Sequence, residues 1–323
     1  MWGNSLGWGI SAVIVAVTVG ALVWVSRSLN TVSEPTAFST TSGAADSLAL
    51  PTPPDGALPD DSASVDTVAL YHQAISLYQQ NDIAFDRFLA RHDKENFKTV
   101  SPAVDLVRQA AGKTSLGIFS ATPDEAVNYT TDTPLKVLKE IGDCVNEAGL
   151  VAKVSGDKDT AKADFQAAMS LGQRMADERL CYGELVDGLG LMSGAAIELA
   201  AMAKDAGNQG KADALNQFAG ALTDFTNKKL MPIETVLSSI DQATVEQYAG
   251  DVFWLARNSK ERMWRVEAIR TMGRLKYNAG RPGDNRGAER VASEIASADT
   301  DPVIKTVAKQ ASELTMDQYQ TLH

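Results

Sequence analysis

The chain has 323 residues, with 41 acidic and 30 basic side chains and a net charge of −11. That length holds a real hydrophobic core, and an apolar fraction of 44% excludes a wholly disordered chain. The acidic excess argues against a general binder of nucleic acid or anionic lipid, and two cysteines make no disulfide framework.

Residues 1–26 carry no charged side chain. Within them Leu6–Val25 is a predominantly apolar run, and twenty residues at helical rise span about 30 Å, the hydrocarbon thickness of a bilayer. Trp8 and Trp24 stand near its ends, where indoles favour the interface, and Arg27 follows at once. A cleaved signal peptide would need a basic start, a shorter apolar core and a small-x-small site. MWGNS has no basic residue, so the expectation is an uncleaved single-pass anchor that meets the lipid bilayer through residues 6–25. No Lys or Arg recurs until Arg87, and a flank so poor in cations is easy to translocate. Arg27 alone would draw the C-terminal side inward, but the cation-poor flank favours the opposite, so the large domain is expected outside, in a bacterial periplasm or its equivalent.

Residues 27–66 are rich in Ser, Thr, Pro and Asp, and PTPPDGALPDDSAS (51–64) has no apolar period. Such a stretch buries too little surface to offset chain entropy, so it is expected to be a disordered tether.

From residue 67 to 323 the pattern is helical. Leu70, Tyr71, Ile75 and Tyr78 mark a first helix, which Phe85, Phe88 and Leu89 extend or follow. Ser101–Ala111 reads as a helix capped by Ser101 with Pro102 in its first turn. Leu116–Thr133 reads as a loop with room for one short helix. Pro134 opens a helix to about Val154 with Leu135, Leu138, Ile141 and Val145 on one face, and another covers Thr160–Ala176. Arg179–Ala203 is the most apolar part of the body, but Glu184, Asp187 and Glu198 make it too polar for a second membrane span. It reads as a central buried helix whose Gly183, Gly188, Gly190 and Gly194 allow close helix contact. Lys211–Leu230 and Pro232–Ile240 follow. Thr244–Asn278 reads as one long helix, RPGDNRG (281–287) as a break, and two short amphipathic helices finish the chain, the second after Asp301-Pro302. No alternating β-branched run predicts a strand. The expected fold is therefore all-α, with antiparallel helical hairpins forming a bundle or a short degenerate α-solenoid behind one transmembrane helix.

Ala161, Phe165 and Ala168, with Gly149 twelve residues earlier, have the spacing of a tetratricopeptide hairpin, and this segment resembles one. Val145 and Ala152 stand where that repeat has Trp and Tyr, and Gln173 stands where it has proline. Ala214, Phe218 and Ala221 repeat the small–aromatic–small spacing, with Met202 in place of the glycine. A second register aligns Lys162-Ala163-Asp164 with Lys211-Ala212-Asp213. The run Ala161, Asp164, Phe165, Ala168, Leu171, Gly172 and Gly188 is also similar to bacterial proteins with an N-terminal anchor and an alanine-rich helical body. These resemblances imply stacked hairpins, an envelope location and binding to another protein.

Signals for chemistry are sparse. His72, His92 and His323 are scattered, and neither they nor Cys144 and Cys181 have metal-ligand spacing, so no metal or cofactor is expected. The two cysteines read as small buried residues, with one bridge as the alternative. GLGLMSG (188–194) resembles the GLMQ motif of lytic transglycosylases. That would imply a catalytic acid near Glu178, but Arg179 adjoins it and Ser193 replaces the glutamine. Glu184 and Asp187 share one face as a carboxylate pair or as neutralised core acids. Finally, Arg257, Arg262, Trp264, Arg265, Arg270 and Arg274 lie on the long basic helix, as a candidate docking face for an acidic partner or anionic envelope polymers, or as a solvated basic face that balances the acidic remainder with its tryptophans in the core. The reading is a membrane-tethered helical domain for protein–protein interaction or scaffolding. The alternative is an envelope enzyme acting on cell-wall glycan.

Overall fold

The computed structural model describes residues 48–59, 67–92, 94–111, 134–179, 182–238, 245–278, 282–315 and 317. The membrane span expected over residues 6–25, the first part of the tether, the loop at 116–133 and Cys181 lie outside them. Among the described residues all regular structure is helical and there is no strand.

The helices are α1 (Thr67–Arg91), α2 (Lys94–Ala111), α3 (Pro134–Ser155), α4 (Lys158–Glu178), α5 (Tyr182–Asp205) and α6 (Gln209–Phe225). A π-turn, Thr226–Leu230, leads into α7 (Met231–Ser238), followed by α8 (Val245–Asn258), α9 (Arg262–Asn278), α10 (Pro282–Ala298) and α11 (Pro302–Glu313). Helices adjacent in sequence pack as pairs, most extensively α4 on α5 and α1 on α2. Pairs also touch the next pair, with α1 on α3, α2 on α4 and α9 on α11.

The turns follow from local chemistry. Gly156, at φ +87°, ends α3, and the Asp157 N–H returns to the Ala152 carbonyl at 3.0 Å. That left-handed cap satisfies carbonyls at the helix end, and glycine adopts it without a Cβ penalty. Asp157 then caps α4 by accepting the Thr160 N–H at 3.1 Å. The same device recurs at Gly207 (φ +76°) and Asn208, which accepts the Lys211 N–H at 3.1 Å. The two hairpin turns are fifty-one residues apart, an interval that neither sequence register predicts. In this register Ala161 and Ala168 correspond to Ala212 and Ala219, all buried, and Phe218 falls at a different position from Phe165. The apparent second copy, Ala214–Phe218–Ala221, does not interlock in the same way, because Ala221 is exposed.

Packing is closest where side chains are missing. A Cβ on Gly172 would lie 2.5 Å from the Gly188 carbonyl oxygen, and one on Gly188 the same distance from the Gly172 oxygen. The α4 and α5 backbones therefore touch at this pair. Of the α5 glycines expected at close contacts only Gly188 serves: a Cβ at Gly183 or Gly190 would meet open space, and at Gly194 only the Asn146 amide at 3.7 Å. On α3, Gly149 lies under the Phe165 ring, whose nearest carbon would be 2.7 Å from an added Cβ. α5 is long and apolar enough to cross a membrane by length and composition. Here one of its faces, including Leu185, Leu189, Met192 and Leu199, is buried in the helical body.

Several boundaries differ from expectation. Ser101 does not cap a helix: α2 begins at Lys94 and carries Pro102 inside it. The missing proline N–H leaves the Lys98 carbonyl short of a donor, and the Ser101 hydroxyl points at that carbonyl from 3.3 Å. α1 is continuous to Arg91 but kinks at Asn81 (φ −141°, ψ 26°), whose side-chain amide donates to the Leu77 carbonyl at 3.0 Å. The break expected between residues 230 and 232 is spanned by the π-turn, so α6 continues through it into α7. The break expected over residues 281–287 closes early, because Pro282 already begins α10. The single long helix expected over residues 244–278 is two helices. α8 ends at Asn258, and Ser259 is buried with its hydroxyl accepting the Glu261 N–H at 3.2 Å. That short-range bond belongs to the turn between the two helices, after which α9 packs back on α8.

Candidate functional site

The turn between α8 and α9 disperses the basic stretch. Trp264, near the start of α9, is fully buried and stacks on Tyr182 of α5 with centroids 5.6 Å apart and planes at 27°. The Tyr182 hydroxyl donates to Glu234 Oε2 of α7 at 2.6 Å. Burial lifts the Tyr182 phenol above its ordinary range, and the Glu234 carboxylate that holds its proton lifts it further.

Four of the five arginines meet acids within the chain. Arg257 meets Glu294 of α10 at 2.5 Å, and Arg262 meets Asp301, the cap of α11, at 2.7 Å. Arg265 pairs with Asp299 and donates to the Ala256 carbonyl at 3.0 Å. Burial opposes ionisation of Asp299, but bonds from Arg265 and from the Asp301 N–H outweigh it and hold that carboxyl below its usual range. Arg270 meets Glu267 at 3.0 Å, and Arg274 donates to the Thr271 hydroxyl at 3.3 Å. Of the six residues the sequence singles out, Arg257 and Arg262 are exposed, Arg265, Arg270 and Arg274 are half-buried, and Trp264 is core.

A second arrangement was not legible in the sequence. Residues 48–59 fall inside the stretch expected to be a disordered tether, yet they lie as a strap on the helical body. The Leu48 N–H donates to Glu261 Oε1 at 2.6 Å. Gln166 of α4 spans two strap carbonyls, Gly56 at 3.1 Å and Leu58 at 3.2 Å, and Lys211 of α6 donates to the Gly56 carbonyl at 3.2 Å. Leu48 and Ala57 are buried. The Ala57 N–H returns to the Pro54 carbonyl at 3.0 Å, in a turn that needs the left-handed Gly56 (φ +68°) at its third position. Four prolines within twelve residues lower the entropy lost on ordering this segment. Glu261 ties it in: its carboxylate also takes the Arg179 guanidinium, at 2.9 Å, at the left-handed end of α4. In the sequence Glu261 is one acid among bases, and nothing there foretells this role.

Other polar groups are structural. Asp164 is wholly buried on α4 and takes the Arg108 fork from α2 through Nε and, at 2.9 Å, Nη2. Burial pushes the Asp164 carboxyl up, and Arg108 pulls against that. Ser170 donates to the Ala111 carbonyl at 2.6 Å, closing the same helix contact. Glu178 ends α4, and Arg179 beside it is drawn to Glu261. Glu184 is fully buried in the first turn of α5. Asp187 is half-buried, and burial lifts its carboxyl, with Lys139 acting against the shift and Asp143 adding to it. Ser193 is also half-buried. Cys144 is a free, buried thiol whose ionisation burial suppresses. An open cleft of about 410 Å³ lies along α1 and α2, lined by His72, Gln73, Ser76, Leu77 and Leu106. Among the described residues no group of His, Cys, Asp and Glu is placed to hold a metal ion.

No protein-family model, curated protein or solved structure matches the chain.

Proposed function

We propose that this protein is a membrane-tethered helical scaffold that binds another protein in the bacterial envelope. Its anchor is the apolar run at 6–25 and its helical domain is on the outer side. The observation that carries the reading is the α3–α4 hairpin, where the Phe165 ring sits on Gly149 in the interlock that the tetratricopeptide resemblance implies. Hairpins stacked in chain order offer extended faces to other chains. Large apolar side chains stand exposed on these helices, Val154 on α3 and Ile197 on α5 among them. In this reading Arg257 and Arg262 contribute at the rim of an interface, since both stay exposed while already paired.

The test combines topology with proximity. Protease added to spheroplasts should digest the helical domain, and a photo-crosslinker placed at Val154 or Ile197 should yield one reproducible adduct from native membranes. A domain protected until the membrane is breached would overturn the orientation. Absence of any adduct from either position would overturn the scaffold reading.

A further inference from the structure

The strap over residues 48–59 is held in an unusual way for a tether. Every hydrogen bond described above reaches its main chain: one N–H, at Leu48, and two carbonyls, at Gly56 and Leu58. The groups that hold it come from three separate elements, Gln166 on α4, Lys211 on α6 and Glu261 in the turn before α9. Its buried side chains are Leu48 and the small Ala57, nine residues apart. Main-chain recognition with a few apolar anchors is how folded domains take extended peptides, and proline-bearing segments suit it because they are already extended.

We propose that the strap is a peptide ligand held in cis. The surface formed by Gln166, Lys211 and Glu261 is a docking groove for an extended, proline-containing segment of a partner protein, with a small apolar residue seated where Ala57 sits. The partner's segment displaces the strap. Because these hydrogen bonds reach the strap main chain, a segment of different sequence but the same backbone course satisfies the same donors and acceptor. The strap has the advantage of connection: a segment joined to its site by a short linker acts at an effective concentration on the order of millimolar. A competing peptide therefore binds the intact protein weakly and binds strongly only when the strap is out. The inference rests on the scaffold reading and names the site and partner chemistry for it.

The test uses the full chain in detergent micelles and a fluorescent peptide of sequence Leu48–Pro59. Ala57→Arg places a long charged side chain where there is no room, and releases the strap without touching the groove. Leu48→Asp does the same at the other end by setting a carboxylate beside Glu261. Hydrogen exchange at the Leu48 and Ala57 amides reports release, and circular dichroism reports that the helices remain. The expected result is peptide binding at least tenfold tighter to either released variant than to the unaltered protein. Adding Gln166→Ala and Lys211→Ala to a released variant should lose that gain. Release without any gain in peptide binding overturns the proposal, as does equal binding by the unaltered protein. Strap exchange between two copies, seen as a dimer of the unaltered protein, also overturns it. The crosslinking at Val154 and Ile197 is independent of the strap, so a partner found there with no peptide binding here would sink the groove and leave the scaffold standing.

Discussion

Gly172→Ala and Gly190→Ala should change stability in opposite directions. Both positions are helical, and replacing glycine by alanine in a helix interior gains about 1 kcal/mol of propensity. At Gly190 nothing lies within 4 Å of the new Cβ, so the gain should stand in full. At Gly172 the Cβ would sit 2.5 Å from the Gly188 carbonyl oxygen and 2.9 Å from the Leu191 Cβ. Carbon–oxygen contacts are comfortable near 3.3–3.6 Å, so α4 and α5 must part by about 1 Å along their tightest line. Overpacking costs about 1–3 kcal/mol, and because a backbone group cannot swing aside as a side chain can, the upper end applies. After the propensity gain, Gly172→Ala should destabilise by about 2 kcal/mol. In a domain of this size that lowers the melting temperature by about 4–8 °C, whereas Gly190→Ala should raise it by about 2–4 °C. Gly188→Ala meets the same clash from the other side, so the double variant with Gly172→Ala should cost less than the sum of the two. Urea and thermal unfolding of the full chain, followed by circular dichroism, measure all four proteins. A Gly172→Ala variant as stable as the parent would refute the backbone contact on which the argument stands.

Gly149→Ala should destabilise by about 1–2 kcal/mol in the same assay, because the Phe165 ring is itself buried and can tilt only part of the way. Arg108→Ala should cost about 3–5 kcal/mol, since it strands the buried Asp164 carboxylate, and adding Asp164→Leu should recover most of the loss. Asp187→Asn should show a pH signature. Burial raises the carboxyl in the folded state, so the native protein holds that proton more tightly than the unfolded chain does. Stability from this group is then full below the ordinary aspartate range and falls as pH rises through the raised value. The asparagine variant has no such loss, so its melting temperature relative to the parent should climb between acid and neutral pH. A difference that is flat with pH would refute the assignment.

Much of the all-helical fold was legible because it is written in local chemistry. Leu138, Ile141 and Val145 recur at helical spacing and are buried, Pro134 opens its helix, and Asp301-Pro302 caps the last one. Each of these depends on neighbours within a turn or two. The features misread are those in which a local signal had a competitor. Ser101-Pro102 has the composition of a helix start, yet the serine hydroxyl reaches the carbonyl that proline cannot serve, and the helix runs through. Asn258-Ser259 lies within a helical pattern, yet α8 ends there and the buried serine oxygen takes the Glu261 N–H in the turn ahead of α9. The arginine stretch reads as one face until that turn sends Trp264 into the core and gives each exposed arginine an acid to meet.

What the sequence by itself determined is periodicity, capping and composition: where most of the helices form, where Pro134 and Asp301-Pro302 open them, and which twenty residues are apolar enough for a bilayer. These properties concern residues near one another in the chain, and their energies are set before the chain folds. Which glycine meets which backbone, which acid takes which arginine, and whether a proline-rich stretch stays free were decided by tertiary structure alone. Gly172 and Gly188 are equivalent to Gly190 until α4 lies across α5. Glu261 is an ordinary surface acid until Arg179 and the Leu48 N–H arrive from 82 and 213 residues away. Those contacts require loop closure over long stretches, and their free energy exists only once the helices have packed.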